Sequence, residues 1–151
     1  MIERLACKLG RNDEVPNIEL AEHLCENSDV IGIKEIVDGL VNKNKSIAND
    51  CIKVLYEIGS RNPELISGYA DNFISCLNSK NNRLVWGGMT ALATIVGSAS
   101  KEIFAKLPIV VTAYKTGSVI TVDNSISVFA GLCRANKSYE KEILPLILDH
   151  L

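Results

Sequence analysis

The residue types that most often carry out catalysis are few in this chain, and they do not form catalytic patterns. There are two histidines and five cysteines. No two cysteines form a C-x-x-C pair, and the H-x-C sequence at His23 and Cys25 lacks the spacing of a zinc site. The chain has no glycine-rich phosphate loop and no G-x-S-x-G turn. We therefore predict that the protein is not an enzyme and uses no metal and no cofactor.

The composition disfavours several classes of partner. The 16 basic and 18 acidic residues leave a net charge of −2, so no strong field attracts nucleic acid or an anionic membrane. No window approaches the ~18 unbroken apolar residues of a membrane span, and the first residues are not a secretory signal. The five cysteines are odd in number and mostly have apolar neighbours, which is typical of free thiols in a reducing compartment. We expect a soluble, cytoplasmic protein.

Binding is the chemistry that the sequence does offer, and the single tryptophan is its main candidate. Trp86 lies in "NNRLVWGGMTALATIVGSAS" (residues 81–100), directly before Gly87 and Gly88. Tryptophan is the residue most enriched at the energetic centre of interfaces. Its role here depends on which side of a helix it occupies, and that depends on the architecture that positions it.

The segment around Trp86 belongs to a repeat with a period of 37 residues. "KSIANDCIKVLYEIG", "NRLVWGGMTALATIV" and "VITVDNSISVFAGLC" start at Lys45, Asn82 and Val119, so the shift is the same twice (45 to 82 to 119). Four apolar positions coincide, at helical spacings of four, three and three. They are Ala48, Val85 and Val122; Ile52, Met89 and Ile126; Leu55, Leu92 and Phe129; and Ile58, Ile95 and Leu132.

The segments between these stretches follow the same shift, so each unit contains two amphipathic helices, A and B. Asn62-Pro63-Glu64 is typical of a helix start, with a proline in the first turn. Ser100 and Ser138 are expected to start the next two A helices. Gly117 is expected to end an A helix in a left-handed conformation.

The predicted fold class is all-α, in one domain over residues 1–151. Helical hairpins are expected at residues 29–60, 63–97 and 100–134, followed by a terminal helix at 138–151. Residues 1–28 are expected to form N-terminal capping helices, one over Ile2–Leu9 and a degenerate B helix over Asp13–Glu26. Because each hairpin buries one face on its neighbours, the stack is predicted to be an α-solenoid, a right-handed superhelix.

The B-helix pattern resembles that of the HEAT-repeat (armadillo-type) family, which runs roughly V-R-x-x-A-x-x-A-L-x-x-I. The match lies in "VWGGMTALATI" (85–95) and in residues 48–58. Pro108 and Pro145, one period apart in A helices, are similar to the prolines that bend HEAT helices. The chain departs from the family at the arginine position, where Asn49, Trp86 and Asp123 stand.

The resemblance implies that B helices line a concave surface, which suggests a partner-binding site. Trp86 is one residue away from the buried stripe, and Gly87 is expected to leave room for a ligand beside the ring. Gly88 lies on the stripe and is expected to let two helices approach closely. The predicted site consists of Trp86 with a ladder of polar neighbours, Asn49, Asp50, Lys53, Thr90, Asp123, Asn124 and Ser127. The alternative is that Trp86 packs over the neighbouring hairpin.

The favoured function is a non-catalytic protein–protein interaction or scaffold module that binds another protein or a peptide segment. Asp50 and Asp123 favour a basic or polar partner. One alternative comes from the resemblance, because HEAT-like enzymes include DNA glycosylases and bilin lyases. Another is a self-associating assembly subunit, with homo-dimerisation through the apolar terminal helix "EILPLILDHL".

Overall fold

A computed structural model describes all residues, 1–151, and every regular element in it is a helix. None of the helices combines the length and apolar character needed to cross a membrane. The nine α-helices are α1 (Val15–Glu26), α2 (Val30–Asp38), α3 (Lys45–Arg61), α4 (Ala70–Cys76), α5 (Asn82–Ile95), α6 (Ser100–Ala105), α7 (Leu107–Thr116), α8 (Val119–Ala135) and α9 (Glu140–His150).

The helices pack in two layers. The B helices α1, α3, α5 and α8 lie side by side in that order, and the A helices α2, α4 and α7 pack on α3, α5 and α8 respectively. Helix α9 is a further A helix and packs against α8. One apolar cluster of 36 buried residues runs through both layers, so the chain has a single continuous core.

Each B helix has a wider buried surface than the one predicted stripe. A second set of buried positions also follows the period of 37: Ile47, Cys51, Val54 and Ile58; Leu84, Gly88, Ala91 and Ile95; Thr121, Ser125, Val128 and Leu132. The predicted stripe is buried in α3 but not throughout α8, where Val122 and Ile126 are half-buried. That side of α8 has no neighbouring B helix to cover it.

Neighbouring B helices meet through small residues in a constant register. Ile52 faces Gly87, Gly59 faces Thr94, and Val96 faces Gly131. In each pair the second residue lies 35 positions after the first (52 to 87, 59 to 94, 96 to 131). Because each pair includes a glycine, the axes approach until a side chain of one helix touches the backbone of the next.

The predicted capping helix over Ile2–Leu9 is wrong. The structure has two 3-10 turns, Ile2–Arg4 and Ala6–Leu9, separated by an extended Leu5 with ψ of 150°. The amide of Ala6 donates to Oδ1 of Asn17 (2.9 Å), and the amide of Cys7 donates to Oδ2 of Asp50 (2.8 Å). In a continuous helix these two amides would donate to backbone carbonyls, but here side-chain oxygens accept from them instead. The two bonds also anchor the segment to α1 and α3.

The A helices are less regular than predicted. The segment after Asn62 forms two 3-10 turns, Pro63–Leu65 and Ser67–Tyr69, before the short α4 begins. The third A helix is broken at Lys106, so that α7 starts with Pro108 in its first turn. Gly117 is extended (φ −84°, ψ 171°), so the predicted left-handed ending is wrong. Ser100 starts α6, whereas Ser138 lies in a 3-10 turn before α9.

Candidate functional site

Trp86 lies on the side of α5 that faces away from the A helices. At about 100° per residue, it is about 200° around the helix from Gly88, whose backbone faces α4. The indole is half-buried. Its ring centroid is 6.0 Å from that of Tyr56 on α3, at an angle of 45°. The guanidinium carbon of Arg83 lies 5.4 Å from the indole centroid on the same helix. The ring therefore packs on α3 and keeps part of its surface exposed.

The two glycines after Trp86 serve helix packing. A Cβ on Gly88 would lie 2.8 Å from Cys76 Cβ and 2.9 Å from the Phe73 carbonyl oxygen, so the predicted close approach of two helices is confirmed. A Cβ on Gly87 would lie 2.8 Å from Ile52 Cγ1, and Gly87 is buried. The prediction that Gly87 leaves room for a ligand is therefore wrong. The Ile52 side chain of α3 occupies the space beside Gly87.

Ion pairs surround the two rings. Nζ of Lys53 lies 2.8 Å from Glu57 and 3.0 Å from Glu14, and it also lies 5.0 Å from the Tyr56 ring centroid. Nη2 of Arg83 lies 3.1 Å from the same Glu14 carboxylate. Glu14, at the start of α1, thereby joins α3 to α5. We call this group the Trp86 cluster, and it consists of Glu14, Lys53, Tyr56, Glu57, Arg83 and Trp86.

The pKa values within the Trp86 cluster favour the charged forms of the paired groups. Burial by itself would lower the pKa of Lys53, but hydrogen bonds to Glu57 and Glu14 outweigh it and raise that pKa. Burial would raise the pKa of Glu57, but hydrogen bonds from Lys53 and Arg61 outweigh it and lower that pKa. These groups stay charged near neutral pH and form a fixed support for the rings.

Arg83 is the member of the cluster with unused hydrogen-bonding capacity. Its amide is capped by Oδ1 of Asn81 (3.1 Å), which holds the first turn of α5. Its Nη2 donates to Glu14, but its buried Nε has no hydrogen-bond partner. A buried donor without an acceptor costs about 1–3 kcal/mol. Because this Nε is buried, an acceptor on a binding partner does not reach it.

Two residues of the predicted ladder are engaged inside the chain. Asn49 accepts from Nδ2 of Asn81 (2.7 Å), which joins α3 to the start of α5. Asp50 accepts from the Cys7 amide and from Nδ2 of Asn17 (2.9 Å), so its two carboxylate oxygens hold the N-terminal turns. Asn49 and Asp50 also line a polar groove of about 200 Å³, together with Arg83. Their visible role is structural.

The remaining ladder residues lie on three B helices: Lys53 on α3, Thr90 on α5, and Asp123, Asn124 and Ser127 on α8. Lys53 is buried in the Trp86 cluster. Thr90 is half-buried and donates its hydroxyl to the Trp86 carbonyl (2.7 Å). Asn124 donates to the Ile120 carbonyl (3.0 Å), whereas Asp123 and Ser127 are exposed on α8. The structure thus bonds Thr90 to the Trp86 backbone and places Lys53 over Tyr56, the ring on which Trp86 packs. Asp123 and Ser127 form an exposed polar edge.

Sequence reasoning missed four members of the Trp86 cluster, Glu14, Tyr56, Glu57 and Arg83. Part of the pattern was readable, because Lys53 and Glu57 are four residues apart on one helix, a spacing at which opposite charges pair. The contacts between helices were not readable. They depend on which residues of neighbouring B helices touch, and these residues are 35 positions apart. The sequence shows only that the apolar pattern repeats every 37 residues.

A second cavity lies on the other side of the molecule, between α2 and α4. It has a volume of about 290 Å³ and an apolar floor formed by Val37, Leu40, Cys76 and Leu84. Small serines on the α4 side, Ser75 and Ser79, leave this space unfilled. Burial raises the pKa of the Cys76 thiol to about 12, so this cavity does not hold a reactive thiolate.

No protein-family model matches this chain, and the curated proteins and solved structures contain no match either. The resemblance to HEAT repeats therefore rests on this chain's own residues.

Proposed function

We propose that the chain is a short α-solenoid of HEAT-like hairpins that binds another protein and has no catalytic activity of its own. Three features support the solenoid: the row of B helices, the A helices packed along one side of it, and the register of 35 that recurs at successive contacts. The break in the third A helix next to Pro108 fits the bent A helices of that family.

The observation that carries the binding role is the half-buried Trp86, which keeps part of its ring exposed and lies beside paired charged groups. An aromatic ring fixed by its neighbours contributes contact area without paying the entropy of ordering a mobile side chain. Because α3 covers one side of the indole, a partner meets its exposed part. Trp86 is thus the anchor of the interface, and the ion pairs beneath it are its support.

The groups around the ring suggest what the partner carries. Nη2 of Arg83 is bonded to Glu14, whereas its Nη1 makes no hydrogen bond within the chain and can donate to a carbonyl or carboxylate oxygen. The exposed Asp123 offers an acceptor to a basic side chain. Within the Trp86 cluster, two acids balance two bases, so no net charge selects a polyanion. These features favour a polar peptide segment of another protein over nucleic acid or a membrane surface.

The chemistry of the cysteines supports a non-catalytic role. Burial raises the pKa of all five thiols, and Cys7, Cys51 and Cys76 reach about 11, 12 and 12. A thiol nucleophile needs the opposite shift. All five thiols are free, which fits a reducing compartment such as the cytoplasm. A DNA glycosylase would need a basic face, and the Trp86 cluster has none.

The experiment is a selection of displayed random peptides on the folded protein, followed by affinity measurements on variants. Recovered peptides should lose at least tenfold in affinity for Trp86→Ala, since an aromatic anchor contributes about 2 kcal/mol or more. Tyr139→Ala is the matched control, because Tyr139 is a half-buried aromatic that stacks on Phe104, away from the Trp86 cluster. Its affinity for the same peptides should be unchanged.

Two results would overturn this proposal. Peptides that bind Trp86→Ala as tightly as the wild type would mean that the interface lies elsewhere. Salt-sensitive binding of duplex DNA at about 150 mM salt that Trp86→Ala abolishes would favour the DNA glycosylase class, because phosphate contacts dominate such binding.

A further inference from the structure

The cavity between α2 and α4 has the size and the lining of a site for a small molecule. Its volume is about 290 Å³, and at about 30 Å³ per water molecule it has room for about ten non-hydrogen atoms. Five of its nine lining residues are apolar, and the other four are polar. Small-molecule sites typically combine an apolar surface with a few polar groups in this way. We call it the α2–α4 cavity.

This cavity belongs to one interval of the stack and is not a general gap between A helices. The chain has two cavities, and neither lies between α4 and α7, one repeat further along. Bulkier side chains stand there in place of the polar ones on the α4 wall. By the shift of 37, Asn72, Ser75 and Ser79 correspond to Ile109, Thr112 and Thr116.

The rim of the α2–α4 cavity offers oxygen atoms to a ligand. Asp38 is the one charged residue in the lining. Nζ of Lys34 donates to Oδ1 of this carboxylate, which leaves Oδ2 available as an acceptor. The exposed side chains of Asn72 and Ser75 add two further oxygens. Three acceptors from two helices thus stand above one apolar floor.

Both helices also end at the cavity. Val37 and Asp38 are the last two residues of α2, and Ser75 and Cys76 are the last two of α4. The carbonyl end of a helix carries a partial negative charge, which favours a cation and disfavours an anion. The carboxylate of Asp38 acts in the same direction. The cavity therefore favours a ligand with a positively charged group and an apolar body.

We propose that the α2–α4 cavity binds a small primary amine with an apolar body, of which phenethylamine is an example of suitable size. The apolar body lies on the floor of Val37, Leu40, Cys76 and Leu84. The ammonium group, with its three N–H donors, lies at the rim and donates to Oδ2 of Asp38 and to the oxygens of Asn72 and Ser75. This site is separate from the surface around Trp86 and does not depend on the proposed function.

Nuclear magnetic resonance of the isotope-labelled full chain tests the proposal with three probes of similar shape. Phenethylamine, phenethyl alcohol and phenylacetate carry a positive charge, no charge and a negative charge. The amine should shift the backbone amides of residues 37–41 and 72–79 with a Kd of about 1 mM, a value in keeping with about ten ligand atoms. The alcohol should bind about tenfold more weakly, because it lacks the charge that strengthens the hydrogen bond to Asp38. Phenylacetate should not bind.

Two variants separate the roles of the floor and the rim. Ser75→Leu should raise the Kd of the amine at least tenfold, because the larger side chain occupies the cavity. Thr112→Leu is the matched control, since it places leucine at the equivalent exposed position of α7 and should leave the Kd unchanged. Asp38→Asn should abolish the preference for the amine over the alcohol. Asp71→Asn removes an exposed acid of α4 outside the lining and should keep that preference.

Three results would overturn the proposal. The first is the absence of saturable shifts with phenethylamine up to about 20 mM, well above the expected Kd. The second is an alcohol or a phenylacetate that binds as tightly as the amine. The third is an amine affinity that Asp38→Asn leaves unchanged. Because the Asp38 side chain is 62% exposed and asparagine has the same shape, this variant keeps the test decisive even if Ser75→Leu folds poorly.

Discussion

The contact between Val96 and Gly131 gives the sharpest test of the register between B helices. A Cβ on Gly131 would collide with Val96 Cγ1, and it would lie 3.0 Å from Cγ2 and 3.2 Å from Cβ. Gly131 is in the interior of α8. Alanine there would gain up to about 1 kcal/mol of helix propensity. Overpacking would cost about 1–3 kcal/mol. We expect Gly131→Ala to destabilise the protein by about 1 kcal/mol.

The sign of this effect should reverse when the collision is removed. Val96→Ala deletes both colliding methyl groups and by itself costs about 1–3 kcal/mol, at roughly 0.5–1.5 kcal/mol per buried methyl. In that background, Gly131→Ala should stabilise the protein by up to about 1 kcal/mol, because the propensity gain then exceeds the cost of the one contact left, to the Cβ of residue 96 at 3.2 Å. The coupling energy of the double-mutant cycle should therefore be about 1–3 kcal/mol.

Urea unfolding followed by far-UV circular dichroism measures all four corners of the cycle, and the m-values should agree. Gly97→Ala is the matched control, because a Cβ at Gly97 meets nothing within 4 Å. It should change the free energy of unfolding by less than about 0.5 kcal/mol in either background. The reasoning is refuted if Gly131→Ala changes the free energy of unfolding by the same amount in the wild type and in the Val96→Ala variant.

Three further predictions concern the charged and aromatic groups. Glu57→Gln should make the free energy of unfolding depend less on acid pH. The lowered pKa of Glu57 contributes stability above the ordinary glutamate pKa of 4.5, and this stability is lost as pH falls through the folded pKa. Urea midpoints between pH 7 and pH 3 measure it. Acrylamide should quench Trp86 fluorescence less than free tryptophan and more than a buried one, since the ring is half-buried. Asp50→Ala should cost about 1–3 kcal/mol and should accelerate alkylation of Cys7, whose pKa burial and Asp50 raise to about 11.

Each of these predictions has a control and a contrary outcome. Glu64→Gln removes an exposed acid outside the ion pairs, and an acid dependence identical to that of Glu57→Gln would contradict the role of Glu57. Quenching as strong as that of free tryptophan would mean that Trp86 does not pack on Tyr56. Asp123→Ala removes an exposed carboxylate, and equal alkylation rates in it and in Asp50→Ala would contradict the anchoring role of Asp50.

The helical class and the positions of most helices were predictable from local patterns. The period of 37 placed the B helices, and the predicted stripe at Ile52, Leu55 and Ile58 is buried. Such stripes are readable because an apolar residue every three or four positions needs cover whichever neighbour provides it. The all-helical class is confirmed, and even "VITV" at the start of α8 is helical despite its strand propensity.

The second buried stripe was not predictable, because its members do not share a hydrophobic character. Thr121 and Ser125 occupy in α8 the places of Leu84 and Gly88 in α5, yet all four are buried. A hydroxyl that bonds to its own helix, as Ser125 does to the Thr121 carbonyl at 2.7 Å, is compatible with burial. Polarity alone therefore misplaces these residues.

By itself, the sequence determined where the B helices and most A helices lie and which of their faces is apolar. Tertiary structure decided the pairing of Trp86 with Tyr56, the burial of Gly87 against Ile52 and the capture of the Cys7 amide by Asp50. The physical reason is that the period of the sequence pattern differs from the register of the contacts between helices. The repeat of 37 is a property of the chain, whereas the contact register of 35 follows from how far one helix slides along another until side chains meet glycines. Packing alone sets that slide.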